Sequence, residues 1–203
     1  MLTATIQGLL IGGSMIIPIG AQNAYILNQG IKRNHHWLTA SICILCDALL
    51  ISAGVFGAGS LLALNPDLLQ VITWGGIIFL SVYGAMSFRS AWQSQYGKTE
   101  LDSTHKSRKM VVMATLAVTL LNPHVYLDTV VVLGSVGNQF SGDNRLAFTG
   151  GTILASILWF YGLAFSAAKF SHWLNQPKVQ RIIDITVGCI MWVIASSLYR
   201  NLA

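Results

Sequence analysis

Two aspartates stand alone inside long apolar runs. Asp47 lies in Ile42-Cys43-Ile44-Leu45-Cys46-Asp47-Ala48-Leu49-Leu50-Ile51, and Asp128 in Val125-Tyr126-Leu127-Asp128-Thr129-Val130-Val131-Val132. A carboxylate near the centre of a membrane helix costs roughly 2.5–3.5 kcal/mol on insertion scales. A chain that carries this cost twice has a use for it: a site for a cation, or for protons, within a bilayer. Two prolines share the setting. Pro18 and Pro123 are each followed by four residues and then a polar side chain, Asn23 and Asp128. Proline inside a helix removes a hydrogen bond and clashes with the preceding turn. The helix that restarts beyond such a break, at Gly20 in the first case, presents free backbone N–H groups and the positive end of its dipole, which suit a carboxylate.

Gln22, Asn23 and Asn122 flank the two breaks. Their amides either reach a substrate or satisfy the freed backbone groups. His124 follows the second proline and reads either as a proton shuttle or as a packing histidine. An amino acid with a cationic side chain matches this constellation at both ends, with helix starts for its carboxylate and aspartates for its cation. Alternatively, one aspartate carries a coupling proton. Asp184, near Arg181 in the first turns of the last apolar run, reads as an interfacial pairing residue.

These residues need a membrane scaffold, and the composition supplies one. The chain is 54% hydrophobic and 9% charged, against roughly 25% charged in soluble domains. The net charge of +5 comes from short loops between apolar runs, without a basic face bearing aromatics, so no nucleic-acid partner is expected. The three cysteines, Cys43, Cys46 and Cys189, all lie in apolar runs, which argues against a disulfide framework. Cys43 and Cys46 have CxxC spacing, but no second Cys or His pair completes a zinc site, so two buried thiols and no cofactor are expected. The first run lacks a basic leader and contains Pro18 and Gln22-Asn23, so it is read as a span and not as a cleaved signal.

Six apolar spans cover about residues 3–28, 37–63, 68–93, 110–136, 145–170 and 179–199. Asn65-Pro66-Asp67 predicts a tight turn between the second and third. The expected fold is an all-α integral membrane protein with six transmembrane helices, the first and fourth broken by proline. It forms one domain, 1–203, in two halves of about 1–93 and 109–203 joined by a polar loop, 94–108. Three spans per half place the second half in the membrane in the opposite sense, as an inverted 3+3 repeat. Ile72-Thr73-Trp74-Gly75 and Ile185-Thr186-Val187-Gly188 echo one another at matching places. Ten of the twelve Lys and Arg residues fall in or beside the first, third and fifth loops, which predicts that those loops are cytoplasmic and both termini outside. Trp37, Trp92 and Trp173, near span ends, read as interfacial anchors. Glycines within the spans, among them Gly8, Gly12, Gly54, Gly84, Gly150 and Gly162, permit close helix approach.

Asn122-Pro123 after an apolar run, with Gly20-Ala21-Gln22-Asn23 in the first span, resembles the LysE family of bacterial amino-acid exporters. The stretches Asn122-Pro123-His124-Val125-Tyr126-Leu127-Asp128-Thr129, Gln22-Asn23-Ala24 and Asn28-Gln29-Gly30 are similar to its arginine-exporting members. The likeness runs nearly the whole chain. It implies export of L-arginine, with L-lysine and canavanine as further candidates, and an aspartate pair important for transport, at Asp47 and Asp128. Ala21 departs from the family pattern, which has proline in a Gly-Pro-Gln-Asn run.

The expectation is therefore a secondary exporter of basic amino acids in the bacterial inner membrane. No P-loop is present, so proton antiport is the expected energy source. Its partners are the amino acid, protons and the lipid bilayer, and a homodimer is compatible with so thin a bundle. An exporter of neutral amino acids shares the architecture, because fold alone does not fix substrate. A membrane carrier of thiol equivalents is the alternative from another class. It is disfavoured because the cysteines stand away from both prolines in sequence.

Overall fold

A computed structural model describes residues 1–18, 20–58, 66–92, 107–174 and 176–200, with the side chains of 58, 66–69, 72, 123 and 124 outside that description. The described residues contain helices and connecting turns, with no strand. In chain order the helices are α1 (Leu2–Ile16), α2 (Ala21–Ile31), α3 (His36–Ala53), α4 (Pro66–Trp92) and α5 (Arg108–Leu120). Next comes α6 (residues 123–137), which has α-helical ends, Pro123–Tyr126 and Leu133–Gly137, around a π-helical middle, Leu127–Val132. The remaining helices are α7 (Gly142–Lys169), the single turn α8 (Ser171–Leu174) and α9 (Pro177–Arg200). α3 runs on through Gly54–Ala58 to a kink at Gly57, whose φ of 108° only glycine adopts without strain.

Each predicted span is helical over most of its described part, the first and fourth being interrupted at residues 17, 18 and 20 and at 121–122. His36–Gly57, Gly142–Lys169 and Pro177–Arg200 are long and apolar enough to cross a bilayer, and α1 with α2 makes a fourth crossing if the bent pair is one span. Pro66 opens α4, while Asn65 of the predicted turn and most of the polar connection, residues 93–106, lie outside the described residues.

The axes of α1 and α2 meet at 80°, yet the pair advances steadily along α7. Gly8 lies against Phe148 and Thr152, the Asn23 amide against Trp159, and Gly30 against Ala167. From residue 148 to 167 is about 28 Å at 1.5 Å per residue, close to the thickness of a hydrocarbon core. The second broken pair advances along α3 in the same way. Thr119 meets Cys43 at 3.8 Å, Thr129 and Val130 meet Gly54, and Gly137 meets Val55. α4 packs on α9, with Gly84 beneath Trp192 and Gly188 beneath Phe88.

Between helices in lipid there is no hydrophobic driving force, so close packing and hydrogen bonds carry the association. Small residues make this possible. A Cβ at Gly8 would collide with the Phe148 carbonyl oxygen, and one at Gly134 would come within 2.8 Å of the Gly54 carbonyl oxygen. Thr152 adds a hydroxyl that donates to the Gly8 carbonyl at 3.2 Å and the Phe148 carbonyl at 3.0 Å. Gly150 and Gly162 face open space, so the close-approach reading does not hold for them. Leu10, Leu45, Leu49, Ile78, Val82 and Leu158 are exposed, as lipid-facing side chains should be. Trp37, Trp92 and Trp173 are exposed near helix ends, as interfacial anchors are.

Candidate functional site

Pro18 does not bend a continuous helix. It lies in a gap between α1 and α2, and Gly20, in extended conformation (φ −119°, ψ −175°), caps the start of α2. A glycine cap has no side-chain oxygen to give, so Gly20 offers the first-turn N–H groups of α2 no acceptor. The carbonyls left open at the end of α1 are taken by Asn23. Its Nδ2 donates to the carbonyl oxygens of Pro18 at 2.8 Å and Ile16 at 3.0 Å, and at 3.4 Å to that of Ile17. Its Oδ1 accepts from the Trp159 indole N–H at 3.1 Å. The geometry thus commits the Asn23 amide to holding the break shut and tying it to α7.

The second break follows the same logic with other residues. Asn122 stands in the cap position, its carbonyl accepting from the Val125 N–H at 3.1 Å. Pro123 occupies the first helical position, where its missing N–H is not needed. The Leu120 carbonyl, freed at the end of α5, accepts from the Tyr126 hydroxyl at 2.9 Å. The side chains of Pro123 and His124 lie outside the described residues.

Between the breaks is a cavity of about 220 Å³. Its polar wall is Gln22, Asn23, Asp47, Asn122 and Asp128, with Pro18 and Gly20 at the edge of the first break. Met15, Ile16, Val125, Thr129, Leu133 and Ile194 complete it. Asp47 is only 3% exposed and accepts from the Ser156 hydroxyl at 2.8 Å. The Gln22 side chain stands beside the Asp47 carboxyl and the Cys43 thiol, and its Nε2 is buried without a hydrogen-bond partner. Asp128 is half-buried on the π-helical turn of α6. Two carboxyl groups on the wall of one small cavity suit a cation or protons. The open start of α2 offers the complementary pole for a carboxylate.

Two expectations gain detail. Asp184 is 8% exposed between α4 and α9 and accepts from the Ser90 hydroxyl at 2.7 Å, so its pairing is with a helix neighbour. Burial follows from its place on the face of α9 that packs against α4. Cys43 is nearer to the breaks than its sequence position suggests, beside Gln22 and Thr119, because α2 and α5 both cross α3 at that level. Cys43 and Cys46 are buried free thiols and Cys189 is exposed.

Ser156, Trp159 and Tyr126 also hold the site, with no signal in the sequence. Serines and threonines are common in these helices, and most bond only to their own helix, as Thr115 does to Val111 and Ser196 to Trp192. The sequence carries no mark that separates Ser156 from them.

Fold and site define a multi-pass transporter of the bacterial inner membrane, not an enzyme. The chain belongs to the LysE family: the profile of the LysE type translocators matches residues 13–202. It is 53% identical over 199 residues to the putative amino-acid transporter YggA of Aeromonas salmonicida, covering 98% of this chain and 96% of that one. It is 47% identical over 201 residues to the arginine exporter protein ArgO of Yersinia enterocolitica, covering 99% and 98%. With the ArgO of Pectobacterium carotovorum the identity is 46% over 201 residues, covering 99% and 98%. No solved structure gives a significant match.

Proposed function

We propose that this protein is a secondary exporter of basic amino acids, with L-arginine its main substrate and L-lysine and canavanine further ones. Transport runs from cytoplasm to periplasm in exchange for protons. The observation that carries this reading is the cavity itself, in which Asp47 and Asp128 share a wall with the open start of α2. A zwitterion with a cationic side chain matches both poles, whereas a neutral amino acid brings no positive charge to the two carboxyls on the wall. The names of the ArgO relatives agree.

The pairing of helices supports an inverted 3+3 repeat of halves 1–93 and 109–203 within one domain. α1 and α2 follow α7, just as α5 and α6 follow α3, and α4 packs on α9. Exchanging the halves maps the first pairing onto the second and the third onto itself. Asp47 and Asp128 then divide between them the cation and the coupling proton, and Gln22 and Asn122 line the substrate's path.

The test is efflux of labelled arginine from cells loaded with an arginine dipeptide, comparing wild type with Asp47→Asn and Asp128→Asn. Fast wild-type efflux, abolished in either variant at normal membrane abundance, is the expected result. Unchanged efflux in both variants reduces the aspartates to packing groups. No wild-type efflux above an empty vector overturns arginine as the substrate.

A further inference from the structure

Among the described residues, four buried side-chain atoms have no hydrogen-bond partner: Gln22 Nε2, Tyr25 OH, Gln29 Oε1 and His36 Nδ1. In a membrane interior each such atom costs several kcal/mol, so each needs an account. Their placement is not random. Gln22, Tyr25 and Gln29 are spaced i, i+3, i+7 on α2 and so share one face of that helix. The face starts in the cavity at Gln22 and runs about 10 Å toward the end of the bundle that carries the basic loops. Lys32 and Arg33 follow α2 directly, and the Arg33 guanidinium donates there to the Ala168 carbonyl at 3.1 Å. His36 opens α3 at the same end.

Tyr25 is fully buried and Gln29 is 3% exposed. The Tyr25 hydroxyl lies near Thr115 and Gln29 without completing a bond to either, and Thr115 spends its own proton on the Val111 carbonyl at 2.7 Å. Tyr25 belongs to an apolar core cluster with Leu80, Val118, Val187 and Met191. Tyr83 of α4 closes on it edge to face, with ring centroids 6.0 Å apart.

We infer that this face of α2 is the shut half of the transport path, with the Tyr25–Tyr83 pair as its inner gate. One polar atom on each of the three side chains lacks a partner because its partners are water and the polar groups of the moving substrate, present only when the gate opens. In the open state the Gln22 amide, the Tyr25 hydroxyl and the Gln29 amide replace part of the substrate's water shell, in that order from the cavity outward. This deepens the reading of the cavity as an amino-acid site and rests on it.

A purely structural role makes the opposite prediction to a path role. Removing a buried polar atom that bonds to nothing leaves stability unchanged or raises it. Tyr25→Phe is therefore expected to keep or raise the melting temperature and to keep the stabilisation by added arginine, while the efflux rate falls at least tenfold. Efflux within twofold of wild type overturns the inference. A second measurement does not depend on the substrate. In a background with Cys43, Cys46 and Cys189 replaced by alanine, Gln29→Cys is expected to react with a membrane-impermeant maleimide from the basic-loop face and not from the other. No reaction from either face, or reaction from the opposite face alone, overturns the path even where arginine is transported. Labelling from the basic-loop face in a protein that exports no arginine upholds the path and rejects the substrate.

Discussion

Asn23→Ala tests whether the first break is held by one amide. The side chain makes two good hydrogen bonds to carbonyls, at 2.8 and 3.0 Å, and accepts one from the Trp159 indole at 3.1 Å. Net hydrogen bonds contribute about 0.5–1.5 kcal/mol each, and polar contacts between membrane helices average about 0.6 kcal/mol. Three bonds at the average to the upper end give about 2–4 kcal/mol. The Pro18 edge lines the cavity, where water can take over a freed carbonyl, so the lower figure is the better one. At about 2–4 °C per kcal/mol for a chain of this size, the melting temperature should fall by about 4–8 °C. The assay is thermal unfolding of detergent-solubilised protein, read by tryptophan fluorescence, beside arginine efflux at matched abundance. Asn23→Asp should be worse, because it turns a donor into an anion facing carbonyl oxygens and keeps only the bond from Trp159. The reasoning is refuted if Asn23→Ala melts with the wild type while efflux is lost. That result would make Asn23 a substrate ligand and leave the break held by something else.

Other expectations are simpler. Ser156→Ala removes the hydroxyl that donates to Asp47; a hydrogen bond to a charged group is worth about 1.5–3 kcal/mol, so efflux should drop by about tenfold or more with the fold intact, as circular dichroism would check. Gly134→Ala places a methyl against the Gly54 backbone, and overpacking of about 1–3 kcal/mol should lower the melting temperature by several degrees. Gly20→Ala meets nothing within 4 Å and keeps an ordinary φ; its melting temperature should match wild type, and any loss should appear as a higher KM, since the methyl enters the cavity. Tyr126→Phe frees the Leu120 carbonyl and should cost about 1 kcal/mol, visible as a shift of about 2–4 °C.

Much of this molecule was legible in its residues. Apolar runs of span length become helices because a bilayer leaves the backbone no other donor or acceptor. Asn122-Pro123 reads as a helix start since proline cannot continue a helix and fits its first position. The expense of a carboxyl in lipid marked Asp47 and Asp128 as a pair, although they lie eighty-one positions apart, and the cavity has both on its wall.

What the residues could not decide was partnership. Asn23 was equally suited to substrate or backbone, and only the position of the α1 carbonyls and of Trp159 assigns its amide. Asp184 sits near a span end in sequence, yet the packing of α9 on α4 buries it against Ser90. Gln22, Tyr25 and Gln29 are ordinary polar residues of an ordinary helix until the surrounding bundle leaves one polar atom of each without a partner on one face. Periodicity and the price of polarity in lipid are local and act on the chain itself. Which group meets which is fixed by helices that lie far apart in the chain, so it exists only once the bundle has closed.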